Sequence, residues 1–213
     1  MNTINYQREL DALIEKNTAQ GIRPSLLLHV CCAVCASYVL EYLYPHFDIS
    51  IVYYNPNITE PGEYDYRYSE LRRYVSETGM DKIRFIPVEY RPDDFFEIAR
   101  GYEDEREGGA RCAKCFYQRL SYTARIAAQG GYNYFATTLT ISPLKNADVL
   151  NRIGFKAAEE AGTVYLPSDF KKKNGYKRSI ELSREYNLYR QNYCGCIYSR
   201  AEAEQRAAAT EKP

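Results

Sequence analysis

The apolar positions of this 213-residue chain alternate between two periods. Ser25–Val30 (SLLLHV) and Ile49–Tyr54 (ISIVYY) are nearly unbroken apolar runs, the pattern of strands covered on both faces. Further strands are predicted over 84–88 and 134–138, with a short fifth over 163–166. Helical patterns fill the intervals. One over 4–20 ends at Gly21, one over 36–43 closes before Pro45, and one over 63–78 stops at Gly79. Others are predicted near 93–100, over 110–128 up to Gly130–Gly131, over 146–161 and near 180–190. An Ala/Glu-rich helix follows Gly195 and is expected to fray after about Arg206. Residues 55–62 (NPNITEPG) are turn formers and read as loop.

Strands alternating with helices predict an α/β fold with a parallel sheet flanked by helices. Ligands of such sheets lie beyond the carboxyl ends of the strands. Cys31, Cys32, Cys35, Asn55–Asn57 and Thr137–Ser142 follow strand ends, so a metal site is expected at that edge. With no convincing linker, residues 1–213 read as one domain, carrying a helical, cysteine-containing extension from about 167 to 213.

Composition narrows the chemistry. No apolar run reaches membrane-spanning length, and Met1–Gly21 is polar and charged, unlike a secretion signal, which points to the cytoplasm and to no membrane partner. In a reducing compartment seven cysteines, an odd number, read as metal ligands or catalysts rather than disulfides. They form three groups: CCAVC at 31–35, CAKC at 112–115 and CGC at 194–196. Cys112 and Cys115 share a helix face. Gly195 lets the backbone turn tightly between Cys194 and Cys196. One structural zinc takes four ligands, usually from two paired groups. Three groups with seven thiols exceed that, whereas a 4Fe–4S cluster takes four and leaves three. His29, inside an apolar run, is expected to hydrogen-bond near the metal rather than ligate it. Asp169 and Lys171 read as surface residues by spacing alone.

Net charge is zero, so only local charge speaks to partners. Residues 93–107 hold seven acids against two bases. Residues 171–190 hold Lys171, Lys172, Lys173, Lys177, Arg178, Arg184 and Arg190 against Glu181 and Glu185, a face suited to an anionic partner. There is no GxGxxG or P-loop motif, and two histidines leave no persuasive Ser–His–Asp arrangement.

Five stretches carry a resemblance: LLLHVCCAVC (26–35), YYNPNITEPGEYDYR (53–67), RCAKCFYQRLSYTA (111–124), FATTLTISPLKN (135–146) and SDFKKKNGYKRSIELSREYNLYRQNYCGCIYS (168–199). In order and spacing they resemble the QueH-type epoxyqueuosine reductase family. The resemblance implies a HUP-like (nucleotide alpha hydrolase-like) fold and a 4Fe–4S cluster beside a single iron. It implies reduction of epoxyqueuosine to queuosine at the tRNA wobble position, the last step of queuosine synthesis, without a corrinoid. Some members carry aspartate where this chain has Cys35, so the ligand set of the second iron is expected to differ here; the family's usual proline at Val34 is expected to affect only loop shape.

On that resemblance Cys32, Cys112, Cys115 and Cys194 are expected to hold the cluster. Cys31, Cys35 and Cys196 are expected to hold the second iron and stand at the catalytic position. Electrons would come from a low-potential donor such as ferredoxin or flavodoxin. Lys171, Lys172, Lys173, Lys177, Arg178 and Arg190 are expected to meet tRNA phosphates. Tyr53, Tyr54, Tyr64 and Tyr193 are expected to stack on loop bases. The rival readings are a cluster-dependent tRNA sulfur-transfer enzyme, a zinc-binding RNA module and a plain electron carrier. The first commonly binds ATP through a Ser/Gly-rich loop where this chain has CCAVCAS.

Overall fold

The computed structural model describes residues 4–210, so residues 1–3 and 211–213 of the expected single domain lie outside it. Helix α1 (Tyr6–Ala19) leads into strand β1 (Ser25–His29), α2 (Ala33–Leu43), β2 (Asp48–Val52), α3 (Pro61–Glu77) and β3 (Arg84–Ile86). Then come α4 (Asp93–Ala99), α5 (Ala110–Gln129), β4 (Tyr134–Thr137), a 3-10 turn (Thr138–Ile141), α6 (Ala147–Ala161), α7 (Gly175–Glu185) and α8 (Ile197–Thr210). The strands form one all-parallel sheet in the order β3-β2-β1-β4.

β1 lies inside the sheet and is covered on both faces, which explains its unbroken apolar run. Leu26 and Leu28 enter a core shared with Leu10 of α1, Leu40 of α2 and Leu71 of α3. Leu27 faces the other way, onto Leu120 and Ala124 of α5 and Ala157 of α6. All three leucines are fully buried, each stabilising by about 1.5–3 kcal/mol over an exposed position. No helix among the described residues is long and apolar enough to cross a membrane.

Several expected boundaries move, four of them for a clear local reason. The strand predicted over 163–166 shrinks to one parallel bridge, Phe135 to Tyr165. It is squeezed between Gly162, the left-handed cap of α6, and Pro167, which has no N–H to extend the ladder. α2 starts three residues early because Cys32 caps it: its Sγ accepts the Cys35 N–H at 3.3 Å. α7 starts at Gly175 rather than near 180, after Lys173 and Asn174 both adopt left-handed backbone; Asn-Gly reads as a turn and hides a helix start. α8 stays helical through Thr210, past the expected fraying point.

Gly175 sits where α7 is pressed against α2. A Cβ there would stand 2.0 Å from the Phe170 carbonyl oxygen and 2.3 Å from the Tyr38 ring. Gly175→Ala is expected to cost about 1–3 kcal/mol through overpacking, seen as a lower urea midpoint with an unchanged slope.

Candidate metal centre

The seven thiols are all free and fall into two groups. Cys31 and Cys32 leave the end of β1, and Cys35 stands in the first turn of α2. Their sulfurs lie within 4.8 Å of one another, with Cys31 and Cys32 Sγ 4.0 Å apart. The other group lines a cavity of about 120 Å³: Cys112 and Cys115 from the start of α5, Cys194 and Cys196 from the turn before α8. A larger cavity of about 290 Å³ lies beside it, with Cys31 and Cys35 in its wall. Cys194, Glu107, Leu144 and Lys145 line both cavities. The grouping differs from the expected partition: Cys32 sits with Cys31 and Cys35, and Cys196 with Cys112, Cys115 and Cys194. Cys32 is turned toward its trio by its role as the α2 cap, a role that sequence spacing does not show.

Burial raises the thiols of Cys112 and Cys196, and that of Cys115 to about 12. In the trio, hydrogen bonding from Cys32, then from Cys35, pulls Cys31 well down. The same bond pushes Cys32 up to about 12, and bonds to Cys31 and Cys32 push Cys35 up. Of the three, Cys31 is the thiol whose ionised form its neighbours favour. Backbone N–H groups already aim at sulfur: Gly108 at Cys112 (3.2 Å) and Ser199 at Cys196 (3.3 Å).

The groups around the thiols are cationic. The largest fully buried side chains of the protein are Arg67, Arg111 and Arg119. Arg119, one turn after Cys115, donates to Asn55 Oδ1 (2.6 Å) and from Nε to His29 Nε2 (3.3 Å). Among the described residues no carboxylate pairs with it, and the neighbours that favour its charge are Cys115, then Cys31. His29 Nε2 also lies 3.2 Å from the Tyr54 carbonyl oxygen, and Nδ1 faces Thr137 Oγ1 at 2.9 Å. Burial, then Arg119, lowers the imidazole to about 3, so His29 is neutral and orients its neighbours rather than carrying charge. Asn55 Nδ2 in turn donates to the Val30 carbonyl just before the cysteine pair (2.8 Å). Lys145 keeps its charge: burial opposes it, but Cys194, Cys31 and Cys35 outweigh burial and raise its pKa.

Arg67 fixes the CGC turn. It pairs with Glu63 at 2.7 Å and donates to the Cys194 carbonyl at 3.0 Å, and its guanidinium lies over the Tyr193 ring. Gly195 takes a φ of 130° and packs so closely that a Cβ would stand 2.8 Å from Ile58. Sequence reading misses all three arginines. Their signal is faint: Arg119 follows Cys115 by one helical turn, in CFYQR. Isolated buried guanidinium carries a large desolvation cost unless anions answer it. Four thiols lining one cavity, an Arg119 with no carboxylate partner among the described residues and N–H groups aimed at sulfur fit a thiolate-held anionic metal group, as iron–sulfur clusters are.

The remaining predicted residues divide. Lys171, with Asp169, is not a plain surface residue: Nζ pairs with Asp169 at 2.9 Å and donates to the Thr140 and Lys145 carbonyls at 3.0 and 3.4 Å. Lys173 pairs with Asp11, and Arg178 with Glu41. Lys172, Lys177 and Arg190 are exposed, and Arg190 lines the larger cavity. Tyr193 lines that cavity too. Tyr53, Tyr54 and Tyr64 do not meet solvent and cannot stack on bases. They pack inside on two sides of the sheet: Tyr53 against Tyr64 of α3 on one, and Tyr54 on the other, stacked on Tyr122 and donating to Asp94.

The family model for epoxyqueuosine reductase QueH matches residues 26–202. The chain is 44% identical to epoxyqueuosine reductase QueH of Streptococcus pyogenes, over 92% of this chain and 78% of that protein. It is 42% identical to the Staphylococcus epidermidis protein of the same name, over 92% of this chain and 84% of that one. With the Thermotoga maritima protein of that name it shares 32% identity, over 86% of this chain and 94% of the other.

Removing Arg67 would leave the half-buried Glu63 with the Tyr189 hydroxyl but without its cation, and the Cys194 carbonyl without this donor. Arg67→Met is expected to lower stability by about 3–5 kcal/mol in denaturant unfolding. Arg67→Lys should recover only part, because an ammonium cannot reproduce the planar fork that reaches both Glu63 and the Cys194 carbonyl.

Proposed function

The chain belongs to the epoxyqueuosine reductase QueH family, and on that premise we propose that its thiols hold iron for reductive removal of the epoxide oxygen from epoxyqueuosine in tRNA. The observation that carries this reading is the gathering of the seven thiols into two groups, with Cys31, Cys35 and Cys194 in the wall of a substrate-sized cavity. At about 290 Å³ that cavity lies at the lower end of small-molecule sites.

The enzyme is an oxidoreductase of queuosine biosynthesis. Conversion of an epoxide to an alkene takes two electrons and two protons and releases water. Cys112, Cys115, Cys194 and Cys196 would hold a 4Fe–4S cluster, and Cys31, Cys32 and Cys35 a single iron. When bound, the cluster supplies electrons one at a time and the single iron a Lewis acid for oxygen, with no corrinoid. Arg119 balances the thiolate charge from below. Lys145 Nζ holds a positive charge where the two cavities meet, placed to stabilise negative charge growing on oxygen as a C–O bond breaks. Arg190, Gln191 and Asn192 offer polar groups in the cavity wall for the edges of the modified base. A base reaches Cys31 only by leaving its stack, as in other enzymes that act on nucleobases. Lys172, Lys177 and Arg190 meet the phosphates, aided by Lys171, Lys173 and Arg178 as far as their internal ion pairs allow. The donor is a low-potential protein such as ferredoxin or flavodoxin.

Anaerobic incubation of the iron-loaded protein with epoxyqueuosine-bearing tRNA and a low-potential reductant should yield a nucleoside lighter by one oxygen atom. An unchanged nucleoside, or protein holding zinc without iron and sulfide, would sink the reading. Cys112→Ser and Cys196→Ser should lose the visible absorption near about 400 nm typical of thiolate–iron charge transfer, while Cys32→Ser keeps most of it. Loss with Cys32→Ser and retention with Cys196→Ser would restore the partition expected from the sequence, in which Cys112 also holds the cluster.

A further inference from the structure

Leu144 is the most exposed of the large apolar side chains described, at 75%. It lies on the rim of both cavities. Tyr176, another exposed large side chain, lines the larger of them. A lone exposed leucine is ordinary on a protein surface, but this one is held stiffly. The 3-10 turn runs into Ser142, whose Oγ accepts the Leu144 N–H (3.3 Å) and whose carbonyl accepts the Lys145 N–H (3.2 Å). Pro143 fixes one backbone angle between them. Asn146 then caps α6 through Asp148 and Val149 N–H. From the far side Lys171 clamps both ends of the loop, at the Thr140 and Lys145 carbonyls. Residues 142–145 thus present one bare aliphatic side chain on a braced loop, at the mouth through which the substrate base must pass.

We propose that Leu144 is a wedge that enters the anticodon stack in the place vacated by the modified base, with the Tyr176 ring as a stacking surface on the same rim. This rests on the reductase reading above. Apolar side chains inserted between bases are a recurrent way to hold nucleic acid unstacked. The gap left by an extruded base would otherwise pull it back. RNA is the occupant because Leu144 edges the cavity that receives the base, so whatever covers that mouth during reduction is the rest of the anticodon loop.

The test uses the iron-loaded full chain, an epoxyqueuosine-bearing anticodon stem-loop, and a second stem-loop with 2-aminopurine beside the wobble position, whose fluorescence rises on unstacking. Leu144→Ala is expected to lower kcat/KM on the stem-loop by about tenfold, the scale of one lost stacking contact, and to abolish the brightening seen with the unsubstituted protein. Leu144→Met should restore both. Iron content and far-UV circular dichroism serve to show that each variant is folded and loaded. Equal kcat/KM and equal brightening for Leu144→Ala would overturn the wedge while leaving the reductase reading intact. A loss seen with a protein reductant and absent with dithionite would assign Leu144 to docking the electron donor, and would overturn it too. An unsubstituted protein that leaves the stem-loop unreduced would overturn the reductase reading, and the wedge with it.

Discussion

The buried guanidinium of Arg119 governs the arrangement around it. It cannot lose its proton, and it lies where water does not reach. What answers it is drawn from three segments: a neutral His29 at the end of β1, Asn55 after β2, and the thiols of Cys115 and Cys31. His29 is held neutral partly by that same charge, and its other nitrogen is fixed by Thr137 at the end of β4. The carboxyl ends of three strands and the start of α5 are therefore tied to a single cation. No carboxylate among the described residues relieves it, and Cys115 and Cys31 are the sulfurs that favour its charge.

That constraint separates the two thiol groups by kind. The trio sits on adjacent backbone, at a strand end and a helix cap, where folding of β1 and α2 alone brings the sulfurs together. The quartet joins two distant segments and depends on Arg67 and Gly195 to seat the CGC turn. Cys194 faces both cavities and is the point where the groups adjoin.

Much of this is legible in the sequence. The four parallel strands follow from their apolar runs, and the strand ends alone put CCAVC at the carboxyl edge of the sheet. The rest depends on tertiary context. A cysteine serving as a helix cap looks like any other cysteine, so spacing does not reveal which thiols Cys32 joins. Tyr53, Tyr54 and Tyr64 carry polar tips that suit a groove, yet each hydroxyl finds a partner inside and the rings pack away from solvent. Lys171 belongs to a basic run, yet its ammonium is bound to carbonyls of another loop. Buried arginines are the hardest to foresee, since the residue type is usually exposed and only its surroundings say otherwise.

The CGC turn carries a consequence for how the enzyme matures. Cys112 and Cys115 belong to the middle of the chain, Cys194 and Cys196 to its last helical segment. A group gripped by all four closes a long loop and acts as a staple between the extension and the sheet, removing much of the freedom the unfolded chain would regain. Were such a group lost, the α8 end would loosen first, which would link its assembly to retention of the C-terminal segment.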